Sequence, residues 1–236
     1  MTEWAAKKFW SEVRVARSEV GSGFRIFLDD KPLNTPAKNP LILPTKEMAN
    51  ALASEWLKQV EKIDPSKMPF TRFANSSIDK VRFQMDDVVR LISDYGDSDL
   101  ICYRAESPRS LIACQEMGWD PLVKWAEQEL KVSVKVFKGI MHFPQSNETL
   151  NQLEKRVRLL TEFQLAGFHD LVSLSGSLIL SFALVYGHIS CLDAWNLSRI
   201  DEIWQIENWG EDEDAQKMVE KKFEAFSKAA TFYRFS

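Results

Sequence analysis

Few residues of this chain have the types and spacing that acid–base, nucleophilic or metal chemistry requires. His142, His169 and His188 are far apart, and no HxxxH or HExxH pattern sets two of them on one helix face. His169 stands beside Asp170, a pair with acid–base potential, although a helix-start cap by Asp170 is the simpler reading. Ser173-Leu174-Ser175-Gly176 lacks the leading glycine of a GxSxG nucleophile elbow. Cys114 has no neighbouring histidine to activate its thiol. Glu211-Asp212-Glu213-Asp214 has charge enough for a divalent cation, but not the spaced oxygens and internal glycine of a calcium loop. A helix N-terminus, favoured by the macrodipole, accounts for that cluster more simply. An enzyme would have to use Glu207 and Asp170 as paired acid and base, and their spacing gives that no support. Gly21-Ser22-Gly23 is followed by neither GxGxxG nor GK[ST], so no phosphate loop and no cofactor are expected.

The chemistry that remains is recognition. Between Asp201 and Asp214 there are seven acidic residues and no Lys or Arg, with Trp204 and Trp209 interleaved. Aromatic anchors among unpaired negative charges suit a surface that grips another protein. They do not suit nucleic acid, whose phosphates would be repelled. At about 100° per residue, Leu197, Ile200, Ile203, Trp204 and Glu207 fall on one helix face. Glu207 then lies against apolar side chains and needs a partner. Glu202 points the other way, near Ile206, Trp195 and Trp209, and is exposed. Two readings stay open: Glu207 pairs with an internal arginine while Glu202 is merely solvated, or both contribute to a contact surface.

The elements that must position these residues change character along the chain. Up to about residue 44, Val13 and Val15, then Phe24, Ile26 and Leu28, alternate as strands do, with Gly21-Ser22-Gly23 as the hairpin connection. Asp29-Asp30-Lys31-Pro32 is a second turn, and Leu41-Ile42-Leu43 a further extended piece. Thr45 caps a helix whose apolar stripe is Met48, Leu52, Trp56 and Val60. Trp56 is thereby assigned to the core, where its loss would cost about 3–5 kcal/mol. After an interruption at Pro65 and Pro69, a helix is expected from about Asp79 to Tyr95, then a short strand, Leu100–Tyr103, returning to the first sheet.

Ser107-Pro108 reads as a helix start, and Asp120-Pro121 repeats the signal after Gly118, predicting two helices broken at Trp119. At such a break Trp119, with Asp120 beside it, either lines a groove between the two parts or packs in their shared core. Val134–Phe137 is a possible strand. Helices follow at about 147–163, 168–186, 191–208 (capped by Ser190) and 213–230. Lys131, Lys135, Lys138, Lys155, Arg156 and Arg158 read as solvated faces or as partners for carboxylates. The pattern predicts an α+β protein: a β-rich α+β domain over 1–104, then a helical domain over 105–236.

Composition limits the function classes. The 236 residues, 45% hydrophobic, suffice for a real core, and the net charge of -4 gives no general attraction to nucleic acid or acidic membranes. Three widely spaced cysteines form neither a disulfide framework nor a CxxC site, which points to a reducing compartment. MTEWAAKKFW has no apolar signal region, which fits a cytoplasmic bacterial protein or a mature mitochondrial matrix form. Leu171–Leu192 is uncharged and near membrane-span length, but its five serines, two glycines and His188 favour a buried helix over stable membrane insertion.

The stretch DEIWQIENWGEDEDA, residues 201–215, resembles the C-terminal signature of the ATP synthase assembly chaperones that bind the alpha subunit of the catalytic head. Three further segments agree: PLNTPAKNPLILPT (32–45), ASEWLKQVEKIDPSKMPFTRFANSSID (53–79) and DLICYRAESPRSLIACQEMGWDPLVKWAEQEL (99–130). The resemblance covers nearly the whole chain in order. Cys102 and Cys114 fall at places in the third segment that look variable. The resemblance implies the same two-part architecture and a non-enzymatic, ATP-independent chaperone that shields the alpha subunit until the beta subunit replaces it. A monomer is the expected form. Combined with the helical geometry, the resemblance marks Glu202, Glu207, Trp209 and Glu211 as the contact region, with Trp119 and Asp120 as a second area. Glu207 could instead anchor the last two helices.

Overall fold

A computed structural model describes residues 7–19, 21–210 and 212–236. Its elements follow in chain order: β1 (Val13–Arg17), β2 (Phe24–Leu28), β3 (Lys31–Pro32), α1 (Lys46–Leu57), α2 (Pro69–Asp79), α3 (Met85–Ser93), β4 (Tyr103–Arg104), α4 (Arg109–Trp125), β5 (Phe137–Lys138), α5 (Asn147–Val157), α6 (Glu162–Ser175), α7 (Leu178–Val185), α8 (Cys191–Leu197), α9 (Ile200–Trp209) and α10 (Glu213–Arg234). This is the α+β arrangement that the residue pattern predicts, with small sheets first and a helical C-terminal region. Contacts group the chain into two units. The first runs to Met85 and takes in Thr161–Gly167 and Thr231–Ser236, and the second holds Asp86–Leu160 and Phe168–Ala230. Residues 86–104, assigned by composition to the first part, group with the second unit.

In the first unit β1 and β2 form an antiparallel hairpin, Val13 opposite Leu28 and Arg17 opposite Phe24, and β3 adds to the far side of β2. Period-2 alternation puts Ile26 and Leu28 in the core. Gly23 is obligatory: its φ is +140° and a Cβ would stand 2.6 Å from the Leu43 carbonyl oxygen. Thr45 caps α1 as expected, its side chain accepting from the Met48 N–H at 3.2 Å. The stripe ends sooner than the spacing predicts. Helix α1 stops at Leu57, and Val60 beyond it is 79% exposed.

Helix α2 replaces part of the expected loop, and the cause is long-range. The buried carboxylate of Glu55, on α1, accepts from the N–H groups of Phe70 and Thr71 at 2.8 Å each, satisfying orphan donors at the α2 start. Pro69 occupies the first turn, where its missing N–H does no harm. At the other end Asp79 accepts from Thr35 Oγ1 (2.6 Å), Asn39 Nδ2 (2.8 Å) and the Ala37 N–H (3.1 Å), tying the 35–39 turn to the helix. Partial burial pushes the Asp79 carboxyl up, but these donors outweigh it and hold it below the usual aspartate value. Phe73 stacks on Phe232 at 4.9 Å, joined by Phe70, Phe163 and Phe235. Trp56 is half-buried with its ring 5.2 Å from Trp10, and its indole nitrogen is sealed from solvent without a partner among the described residues.

In the second unit the expected Leu100–Tyr103 strand does not return to the first sheet. Residues 100–102 form a 3-10 turn, and β4 pairs in parallel with β5. The turn is fixed by Asp99, whose fully buried carboxylate accepts from Ile101 N–H at 3.2 Å and from Ile179 N–H in the first turn of α7 at 2.9 Å. Burial pushes its carboxyl up to about 6, against the lowering effect of those donors. The expected helix over 168–186 is two helices. Gly176, at φ +70°, ends α6, and Ser177 caps α7 through Leu180 N–H. Asp170 sits inside α6, not at a helix start. Among the described residues no helix is long and apolar enough to cross a membrane.

Candidate functional site

Helix α4 is continuous through Trp119, which corrects the expected break. Pro121 lies on the exposed side, as does Met117, whose carbonyl loses its helical donor and can turn to water. Nor does Ser107 cap the helix: its N-cap is Pro108, without a side-chain hydrogen bond. Continuity matters because it puts Gln115, Gly118, Trp119 and Leu122 on one face. Trp119 is 1% exposed and donates from Nε1 to the Leu197 carbonyl at 2.8 Å. In this state it is a packing residue at the end of α8 and offers no surface.

Gly118 is where α9 comes closest to α4. A Cβ there would meet Ile200 Cδ1 at 2.5 Å and Leu197 Cδ2 at 3.0 Å. One turn earlier, buried Gln115 accepts the Ala105 N–H at 2.8 Å through Oε1 and donates to Asp201 Oδ1 at 2.7 Å through Nε2. Its own carbonyl accepts from buried Arg104 Nη1 at 2.9 Å. Arg104 Nη2 makes an ion pair at 3.0 Å with Asp120, which is 50% exposed, and the guanidinium lies 5.2 Å from the Trp119 ring. Burial draws the Arg104 pKa below its ordinary value, and Asp120 opposes this. Asp120 thus serves β4 as a counter-ion, while its exposed oxygen surface faces a cleft of about 490 Å³ lined also by Glu116, Lys124, Val136 and Lys138.

On this support α9 stands largely in solvent, with none of its residues buried. Glu202 is 61% exposed as expected, but it has a partner: Arg199 Nε donates to its Oε2 at 2.6 Å, and the guanidinium lies 5.6 Å from the Trp195 ring. Glu207 departs from the expectation. It is exposed, and no ion pair reaches it among the described residues. A break precedes α9: Arg199 has φ -124° and ψ 22°, so Leu197 belongs to α8 and drops out of the projected face, while Ile200, Ile203 and Trp204, which share that face with Glu207, are only half-buried and do not enclose the carboxylate. Trp204 is half-buried, donating from Nε1 to Ser110 Oγ at 3.2 Å, and meets Trp209 edge-on at 5.4 Å. Trp209 is 74% exposed. Gly210, at φ +93°, ends the helix. Glu211 lies outside the described residues. Asp212 caps α10 through the N–H groups of Asp214 and Ala215 at 2.9 Å each, as the helix-terminus reading predicts.

Asp170 and Glu207 are not brought together as an acid–base pair among the described residues. Asp170 Oδ1 lies 3.1 Å from its neighbour His169 Nδ1, and no hydrogen bond or ion pair joins it to Glu207 among the described residues. No His, Cys, Asp and Glu group among them is arranged to hold a metal ion.

What the arrangement resembles is specific. The family model described as ATP12 chaperone protein matches residues 7–127. The crystal structure of Atp12 from Paracoccus denitrificans superposes with a TM-score of 0.93 at 43% identity, over 99% of each chain. The chain belongs to the ATP12 chaperone family. A putative chaperone from Agrobacterium tumefaciens, the Atu1473 protein, superposes at TM-score 0.92 and 37% identity, covering 97% of this chain and 85% of that one. The mitochondrial protein atp12 of Schizosaccharomyces pombe is 26% identical over 227 residues, 90% of this chain and 76% of its own. As an ATP12 chaperone, the chain is an assembly chaperone of the ATP synthase.

Several residues that hold α9 and its neighbours in place escape a motif search: Gln115, Arg104 and Arg199. Only the Arg199–Glu202 spacing of three was legible as an ion pair.

Proposed function

We propose that the chain captures the free alpha subunit of the ATP synthase catalytic head and covers its subunit interface until the beta subunit replaces it. Membership of the ATP12 family supports the reading, and one observation carries it: Trp209, a large aromatic side chain, is exposed on α9 with Glu202 and Glu207, a helix that carries no Lys or Arg, and the neighbouring Arg199 is mostly covered and paired with Glu202. Such an anchor is poorly placed in a free monomer and well placed to be buried by a client. Glu202, Glu207, Trp209 and Glu211 form the proposed contact region. Asp120, with buried Trp119 packed at the end of α8 beside it, is the proposed second area. Handover needs no hydrolysis, because a tighter-binding beta subunit displaces the chaperone by mass action. No enzymatic step and no cofactor enters the proposal. The chain would act in the bacterial cytoplasm, or in the mitochondrial matrix as a mature organellar form.

Co-expression with the alpha subunit and affinity capture tests the reading. Glu202→Lys and Glu207→Lys are expected to abolish capture while circular dichroism is unchanged. Wild-type capture by both variants would overturn it.

A further inference from the structure

We infer that the groove between α9 and the first half of α10 receives an amphipathic client segment whose apolar side chains are flanked by Lys or Arg. The inference rests on the proposed client-capture reading and specifies what the captured segment is made of.

Three observations converge. The first is the groove itself, about 560 Å³, enough for a few large side chains. Its apolar lining comes from both helices: Ile206 and Trp209 from α9, Ala215 and Val219 from α10. The second is that the start of α10 has little of its own to pack on. Residues 213–222 are exposed apart from half-buried Val219, whereas Phe226 and Ala229 further along are fully buried. Three turns of helix with an unpartnered apolar stripe are held poorly by propensity alone. A segment laid into the groove would give that stripe something to pack against.

The third is charge. The rim carries Glu202, Asp212 and Glu220, and Arg199, the one cation lining the groove among the described residues, is already paired with Glu202. A basic flank is therefore attracted and an acidic one repelled. The same field argues against a second copy of this chain, since an isologous contact would bring these carboxylates face to face with themselves.

The test uses the full chain and two synthetic peptides of about four helical turns. One has a leucine stripe flanked by lysines, and the other has the same stripe flanked by glutamates. The lysine peptide is expected to bind, more weakly as salt rises, and the glutamate peptide is not. Two variants separate groove docking from general attraction to an acidic surface. Val219→Asp removes apolar lining while adding negative charge, and Ala215→Trp fills the groove without changing charge. Each is expected to weaken lysine-peptide binding by about tenfold or more, with Glu148→Lys on α5 as a neutral control. Unchanged or tighter binding by Val219→Asp and Ala215→Trp overturns the inference, as does failure of the lysine peptide to bind or self-association through the groove in sedimentation. The client-capture reading fails separately, if the whole alpha subunit is captured at wild-type level by both Glu202→Lys and Glu207→Lys.

Discussion

Gln115, buried on α4, donates to Asp201 in the first turn of α9 at 2.7 Å, and this bond ties the exposed acidic helix to the protein interior. Its amide oxygen accepts from the Ala105 N–H and its backbone carbonyl from Arg104, so one residue joins β4, α4 and α9. Gln115→Leu keeps the volume and breaks two of these bonds. Unfolding stability is expected to fall by about 1–3 kcal/mol, since buried donors and acceptors are left unpaired. Chemical denaturation measures it, and an unchanged midpoint would show that the bond contributes nothing.

Gly118 makes the neighbouring prediction. A side chain there meets Ile200 Cδ1 at 2.5 Å and Leu197 Cδ2 at 3.0 Å. Gly118→Val is expected to push α9 outward at a cost of about 1–3 kcal/mol, the usual size of an overpacking effect. Client capture should fall with it. Wild-type thermal stability together with wild-type capture would contradict the close approach.

Asp99 predicts a pH dependence. Its carboxyl is raised from 3.8 to about 6 by burial, so the folded state holds the proton more tightly than the unfolded chain. Its stabilising contribution is therefore complete below 3.8 and is lost as pH rises through about 6. The whole effect is about 3 kcal/mol, of which roughly 1 kcal/mol falls between about pH 5 and 7. The stability of the wild type minus that of Asp99→Asn should decrease by that amount over this window. A difference that is flat or rises with pH would refute the assignment.

Trp56 is expected to be structural rather than a binding residue, because its ring packs on Trp10 and its indole nitrogen is closed off from solvent. Trp56→Arg should lower stability by about 2–3 kcal/mol, less than for a fully buried tryptophan. A wild-type melting temperature for that variant would show the ring is dispensable.

How much of this was legible in the residues depends on how local each signal is. The β1–β2 hairpin and the caps at Thr45, Ser177, Ser190 and Asp212 each need only a few neighbouring residues, and of these only Ser177 went unread. Helix α2 escaped because Pro65, Pro69 and the Asn75-Ser76-Ser77 run look like a loop, while the carboxylate that starts the helix comes from Glu55 on another element. The pairing of β4 with β5 spans more than thirty residues and only two rungs, too little for periodicity to detect. At the site, the helical spacing marked Glu202 as exposed. The turn at Arg199, which separates Leu197 from α9, carries no glycine or proline to announce it, and the half-burial of Ile200, Ile203 and Trp204, which leaves Glu207 in solvent, depends on packing that spacing does not reveal.

Hydrogen exchange of the chain with and without the purified alpha subunit tests the central claim most directly. Amides of residues 199–222 are expected to slow when the alpha subunit is present, and to return to their free rates when the beta subunit is added without nucleotide. Protection confined to other elements, with α9 and the start of α10 exchanging as in the free chain, would contradict the account.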